Sequence, residues 1–182
     1  MMIAQKHHAR GQWSGAAQIC ALDYTQRFLR RKKLVSAEGT AFLVDLAQTT
    51  SLGHGDALEL EDGTLVEIRA AHEALYRITG PQLLHYTWHI GNRHTPCEIG
   101  SDHLLIMADK VIGHMLAHLG ATVTPVDGPF TPEGGAYGHG RTLSHSHVAT
   151  AHDHGHDHGH GHPHDHSHGH LHGHPHEHPH EH

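Results

Sequence analysis

The chain has 182 residues, with 12 Lys and Arg against 19 Asp and Glu, a formal net charge of −7 when its 29 histidines are neutral. That length allows one domain or two small ones, and the acidic balance argues against a surface of the nucleic-acid-binding kind. Two cysteines, Cys20 and Cys97, are too few and too far apart for a disulfide framework or a CxxC motif, which fits a reducing cytosol.

Met1 to Cys20 holds no apolar core of signal-peptide length, since Gln18 interrupts its best stretch, and no run approaches a membrane span. The expectation is a cytoplasmic protein with no membrane partner. Residues 17–78 read as strands and turns. Arg30-Arg31-Lys32-Lys33 is the only cationic run, and at four residues it reads as a solvated loop rather than a DNA or membrane contact. Thr40–Leu46 is β-rich, and Gly53-His54-Gly55-Asp56 marks a turn. Ala57–Glu61 and Thr64–Arg69 form a hairpin about Asp62-Gly63. These elements predict a small β-rich barrel or sandwich over residues 1–74.

Beyond it the period changes. Ala70–Thr79 continues as a strand, and Gly80-Pro81 places Pro81 in the first turn of a helix over Gln82–Ile90. On that helix Leu84, Trp88 and Gly91 share a face, with Leu83 and Thr87 beside them. Gly91-Asn92 supplies the stop, because both tolerate the left-handed conformation. Strands follow at Pro96–Ile99 and His103–Met107. Asp109 then caps a helix whose core face is Ile112, Met115, Leu116 and Leu119, and Gly120 ends it. With Ala121–Thr124 as the last strand, the order is β-α-β-β-α-β, that of a ferredoxin-like domain over residues 75–150. Residues 128–150, rich in Gly, Pro and Ser, read as a linker. The fold class is therefore α+β.

Residues 151–182 are a third segment. Every second residue is histidine: His152, His154, His156, His158, His160, His162, His164, His166, His168, His170, His172, His174, His176, His178, His180 and His182. Neutral imidazole is the commonest protein ligand for Ni²⁺, Cu²⁺ and Zn²⁺. With Leu171 as its one aliphatic side chain beyond Ala151, the segment cannot bury enough apolar surface to offset ordering, so a disordered metal-binding tail is expected. The spacers are Asp, Gly, Pro, Ser, Leu and Glu, unlike the contiguous run of an affinity tag.

Five further places offer imidazole or thiol. His94, closing Gly91-Asn92-Arg93-His94, stands at an exposed corner; it reads either as an ordinary surface residue or as a ligand that two copies bring together across a dimer axis. His145-Ser146-His147 is a His-x-His pair just ahead of the tail. His85 and His89, like His114 and His118, are four apart on solvent-facing helix stripes. Cys97 offers a thiol, although a small buried strand side chain is the simpler reading. The chain has no GxxxxGK[ST] loop, zinc-finger spacing or nucleophile elbow, and the expectation is that it is not an enzyme.

Taken together, Gly39-Thr40, Leu52-Gly53-His54-Gly55-Asp56, Glu61-Asp62-Gly63, His89–His94 and Pro129–Tyr137 resemble the urease accessory protein UreE family of nickel metallochaperones. The resemblance covers most of residues 17–150. It implies a β-rich peptide-binding-like half and a ferredoxin-like half that dimerises, with His94 from two protomers holding one Ni²⁺. It also implies support from His145 and His147, although residue 144 is Ser where relatives have Gly. Some relatives carry His-x-His just before the second helix; here the stretch is Ala108-Asp109-Lys110. The implied role is to collect Ni²⁺ as cargo, against Zn²⁺ and Cu²⁺ as competitors, and to pass it to a urease-assembly GTPase and the urease apoprotein. Metal storage or detoxification by the tail is the alternative.

Overall fold

The computed structural model describes residues 1–15 and 17–134. The His145-Ser146-His147 pair and the tail lie outside them. The chain is α+β, with ten strands in two sheets and two helices among the described residues.

The first sheet has six strands: β1 (Met2–His8), β2 (Ala17–Leu22), β3 (Phe28–Val35), β4 (Ala41–Ser51), β5 (Ala57–Leu60) and β6 (Leu65–Ala70), in the order β2-β6-β5-β1-β4-β3. β1 runs parallel to β4, and β2 parallel to β6; the other pairs are antiparallel. The predicted β5–β6 hairpin is present. Gly63 takes φ 86°, and Asp62 Oδ1 accepts from the Thr64 N–H at 2.9 Å. Right-handed twist curls the sheet until its two edges approach, where the Ala37 N–H donates to the Ile19 carbonyl at 2.7 Å. The curl encloses Phe42, Val44, Leu58, Val66 and Ile68, all fully buried.

The sheet departs from the sequence reading in two places. Met2–His8, to which the sequence assigned no element, is a strand in the interior of this sheet. Arg30–Lys33 is not a loop: the four side chains lie exposed on edge strand β3. Charge along an edge discourages strand addition by another chain.

The second sheet holds β7 (His72–Thr79), β8 (Glu98–Ile99), β9 (Leu104–Met107) and β10 (Thr122–Pro129), ordered β10-β7-β9-β8 and antiparallel throughout. Helices α1 (Leu83–Gly91) and α2 (Lys110–His118) complete the β-α-β-β-α-β order. Tyr86 and Ile90 of α1 and Leu116 of α2 pack with Ile78, Leu104 and Ile106 of the strands. Asp109 caps α2 as expected, its Oδ1 accepting from the Val111 and Ile112 N–H groups at 2.7 and 3.0 Å.

α1 departs from the reading in both register and ends. It buries Tyr86 and Ile90, whereas Leu84 and Trp88 are 89% and 61% exposed. Gln82 is its N-cap, so Pro81 lies just outside the helix.

β10 runs five residues past Thr124, and Phe130 beyond it is fully buried. The segment from residue 128 therefore begins as structure, not linker. Phe130 meets Tyr24 edge-on at 5.4 Å, and the buried Arg27 guanidinium donates to the Phe130 carbonyl while lying 5.6 Å from the Tyr24 ring. The Tyr24 N–H reaches Glu73 Oε1 at 2.9 Å. These contacts tie the strand end of one sheet to a loop of the other.

Candidate metal centre

The chain leaves α1 through a motif built around His94. The His94 N–H donates to the Gly91 carbonyl at 2.9 Å and the Thr95 N–H to the Ile90 carbonyl at 3.4 Å. This paired pattern closes a helix when the residue between the bonds is left-handed. That residue is His94, at φ 52°, the one non-glycine residue with positive φ among those described. Asn92 is right-handed at φ −60°, and Gly91 is not among the positive-φ residues. The left-handed stop expected at Gly91-Asn92 thus falls two residues later, on the histidine itself. Left-handed backbone costs an L residue about 1–2 kcal/mol, although His visits it more readily than most. The consequence is an imidazole held at an exposed corner, with Arg93 Nη1 donating to the His89 carbonyl at 3.1 Å just before it.

A groove of about 480 Å³ flanks this corner, lined by Arg93, Thr95, Pro96, Met107, Asp109 and Val111 among others. On its far wall Val111 is 76% exposed. Asp109 belongs to the helix cap, so the Ala108-Asp109-Lys110 stretch does structural work here. One turn back along α1, His85 Nε2 and His89 Nε2 are 3.1 Å apart, and the Trp88 ring stands edge-on to His89 with centroids at 4.9 Å. Partial desolvation, with the charges of His85 and Arg93 adding to it, holds the His89 imidazole below its ordinary value of 6.5 and so favours the neutral, ligand-competent ring.

Cys97 points the other way. Its side chain packs against the core of the second sheet, and its thiol is pushed up to about 12 by burial, with Glu133 and Glu98 adding to the rise. A thiolate is the ligand form of cysteine, and this environment opposes it. Cys20 is fully enclosed in the first sheet, its thiol also raised by burial. His114 and His118 are exposed on α2, opposite Leu116.

Among the described residues of one chain, no three His, Cys, Asp or Glu side chains converge on a common point. Transition metals want several donors, so any ion at His94 needs ligands from another copy or from the chain after residue 134. Sequence reading missed the exposed Leu84–Trp88 strip leading toward His94. The signal was present, since both lie on the face read from periodicity, but periodicity does not say what covers a face. No helix among the described residues is long and apolar enough to cross a membrane.

Comparison with known proteins agrees with this architecture. Residues 2–71 match the model of the UreE urease accessory protein N-terminal domain, and residues 64–182 that of its C-terminal domain. The urease accessory protein UreE of Ruegeria pomeroyi is 59% identical over 137 residues, covering 75% of this chain and 92% of that protein. Those of Cereibacter sphaeroides and Rhodobacter capsulatus are 58% and 55% identical, covering 76% and 75% of this chain and 76% and 87% of their own lengths. Two domain models that together span the chain, and relatives aligned over most of their length, place it: the chain belongs to the UreE urease accessory protein family.

Proposed function

We propose that this chain is a nickel metallochaperone working as a homodimer, in which His94 of the two protomers holds one Ni²⁺ for delivery to urease assembly. The observation that carries the proposal is the left-handed corner. Among the described residues, His94 is the one non-glycine position where left-handed backbone strain is accepted, and it holds an imidazole out at the end of the helix that carries the exposed strip of Leu84 and Trp88. A two-fold axis along that strip brings the same residue from both copies to one point. Residues 75–150 form the ferredoxin-like, metal-binding half in this reading, and residues 1–74 the peptide-binding-like half.

In this reading His145 and His147 complete the coordination. The 16 histidines between His152 and His182 act as a reservoir that exchanges metal with the central site. Imidazole donors alone favour Cu²⁺ over Ni²⁺ and admit Zn²⁺, so selectivity rests on geometry, supply and the recipient. The recipient is a urease-assembly GTPase bound to urease apoprotein, and the chain acts in the cytoplasm as carrier rather than catalyst.

Nickel titration with mass determination tests this. Removal of residues 151–182 should leave one tight Ni²⁺ per dimer, and His94→Ala in that background should abolish it. Unchanged affinity in the His94 variant sinks the interface site. Loss of all tight binding on tail removal favours storage by the tail instead.

A further inference from the structure

Beyond the His94 site, α1 carries a second pair of donors. We propose that His85 and His89 form a two-imidazole binding site for a divalent late transition-metal cation. Residues four apart on a helix stand one above the other on the same face, which is why these rings meet. Their Nε2 atoms are 3.1 Å apart and the ring centroids 4.6 Å, with the planes at 74°. Two metal–nitrogen bonds of about 2.1 Å span about 3.0 Å when they meet at a right angle, and about 3.4 Å at the tetrahedral angle. The observed 3.1 Å lies nearer the right-angle value, which suits Ni²⁺ and Cu²⁺, with water filling the remaining positions.

The rings are already held in place. Trp88 stands edge-on to His89 at 4.9 Å, and the regular backbone of α1 fixes the spacing of both Cα atoms. Without metal, one Nε2–H donates to the other Nε2. A bound ion takes the place of that proton, which moves to Nδ1 of the same ring, so each imidazole stays neutral and no proton is released. Arg93, which acts on His89 through its charge, opposes a second cation and keeps the site weaker than one assisted by a carboxylate. A site of this strength, on the helix that ends at His94, suits an ion in transit. That transit role rests on the reading of His94 given above; the site itself does not.

Diethyl pyrocarbonate footprinting of the full chain, with and without nickel sulfate, tests the site. Trypsin cleavage after Arg77 and Arg93 puts His85 and His89 in residues 78–93 and His94 in residues 94–110, so the two centres are read separately. Nickel should protect both His85 and His89 relative to His72, which is paired with Asp127. Protection of His89 should disappear in His85→Ala, and that of His85 in His89→Ala. The proposal is overturned if either ring stays reactive at nickel levels that protect the tail, or if His89 remains protected without His85. Protection at His85 and His89 with none at His94 upholds this site and counts against the His94 reading.

Discussion

Trp88 lies edge-on to His89, 88° between the ring planes, yet 61% of its surface faces solvent. An indole so exposed, four residues from an 89% exposed Leu84 on the same helix, marks an association surface more than a packing defect. Buried aromatic anchors contribute about 2 kcal/mol or more to an interface, roughly 30-fold in dissociation constant. If the proposed dimer forms through this strip, Trp88→Glu should therefore give a monomer in light scattering where the parent chain is a dimer, while leaving its circular dichroism unchanged. Tight nickel binding should fall with it. A variant that stays dimeric would remove α1 from the interface.

Arg27 is the other side chain on which two parts of the fold depend. It is buried, donates to the Phe130 carbonyl, and has its guanidinium pKa lowered by burial, partly offset by Glu73, Tyr24 and Asp23. Arg27→Ala leaves that carbonyl unsatisfied and Phe130 without its clamp. Lost hydrogen bonds to a charged group are worth about 1.5–3 kcal/mol, so urea unfolding should report destabilisation of roughly 2–3 kcal/mol. A change below about 0.5 kcal/mol would mean that the Tyr24–Phe130 contact holds the segment alone.

The features that could be read from sequence were those set by local chemistry. Asp109 announced its cap and Asp62-Gly63 its hairpin because the side chain or backbone that makes each turn is in the turn itself. The missed strand β1 depends on Phe42, Leu43 and Val44, some 40 residues away, and its adjacent His7 and His8 break any alternation. β10 hid behind Pro125, Gly128 and Pro129. An edge strand tolerates proline, and among the described strands β10 is an edge, paired only with β7. Of the candidate site, the motif ending in His94 was legible but its geometry was not. Asn and Gly are the usual left-handed residues, and here the turn spends that conformation on the histidine.

Asp56 gives the fold an acid-sensitive point. Its burial would raise the carboxyl, but hydrogen bonds from His7 Nε2 at 2.7 Å and from the Gly53 and Arg10 N–H groups at 2.7 and 2.9 Å outweigh this and hold it below its ordinary 3.8. A carboxyl depressed in the folded state contributes stability above its unfolded pKa and loses it as pH falls through the folded one. Stability measured by urea unfolding should thus decline below about pH 4. Asp56→Asn should be less stable at neutral pH and show a shallower acid decline. An unchanged slope would assign the acid sensitivity to other carboxylates.

His94→Gly separates the site from the strain that shapes it. Glycine adopts φ 52° without the steric cost that a Cβ brings, so the helix end should form at least as well without the imidazole. The expected change is a gain approaching 1 kcal/mol, reduced by the greater freedom of glycine in the unfolded chain. His94→Ala keeps the Cβ and should gain nothing. Both variants should lose the tightest nickel site equally. Thermal unfolding run beside nickel titration gives the two readings. Lost binding in a protein that is no less stable assigns the loss to the ligand, whereas destabilisation by glycine would mean that the His94 side chain itself holds the corner.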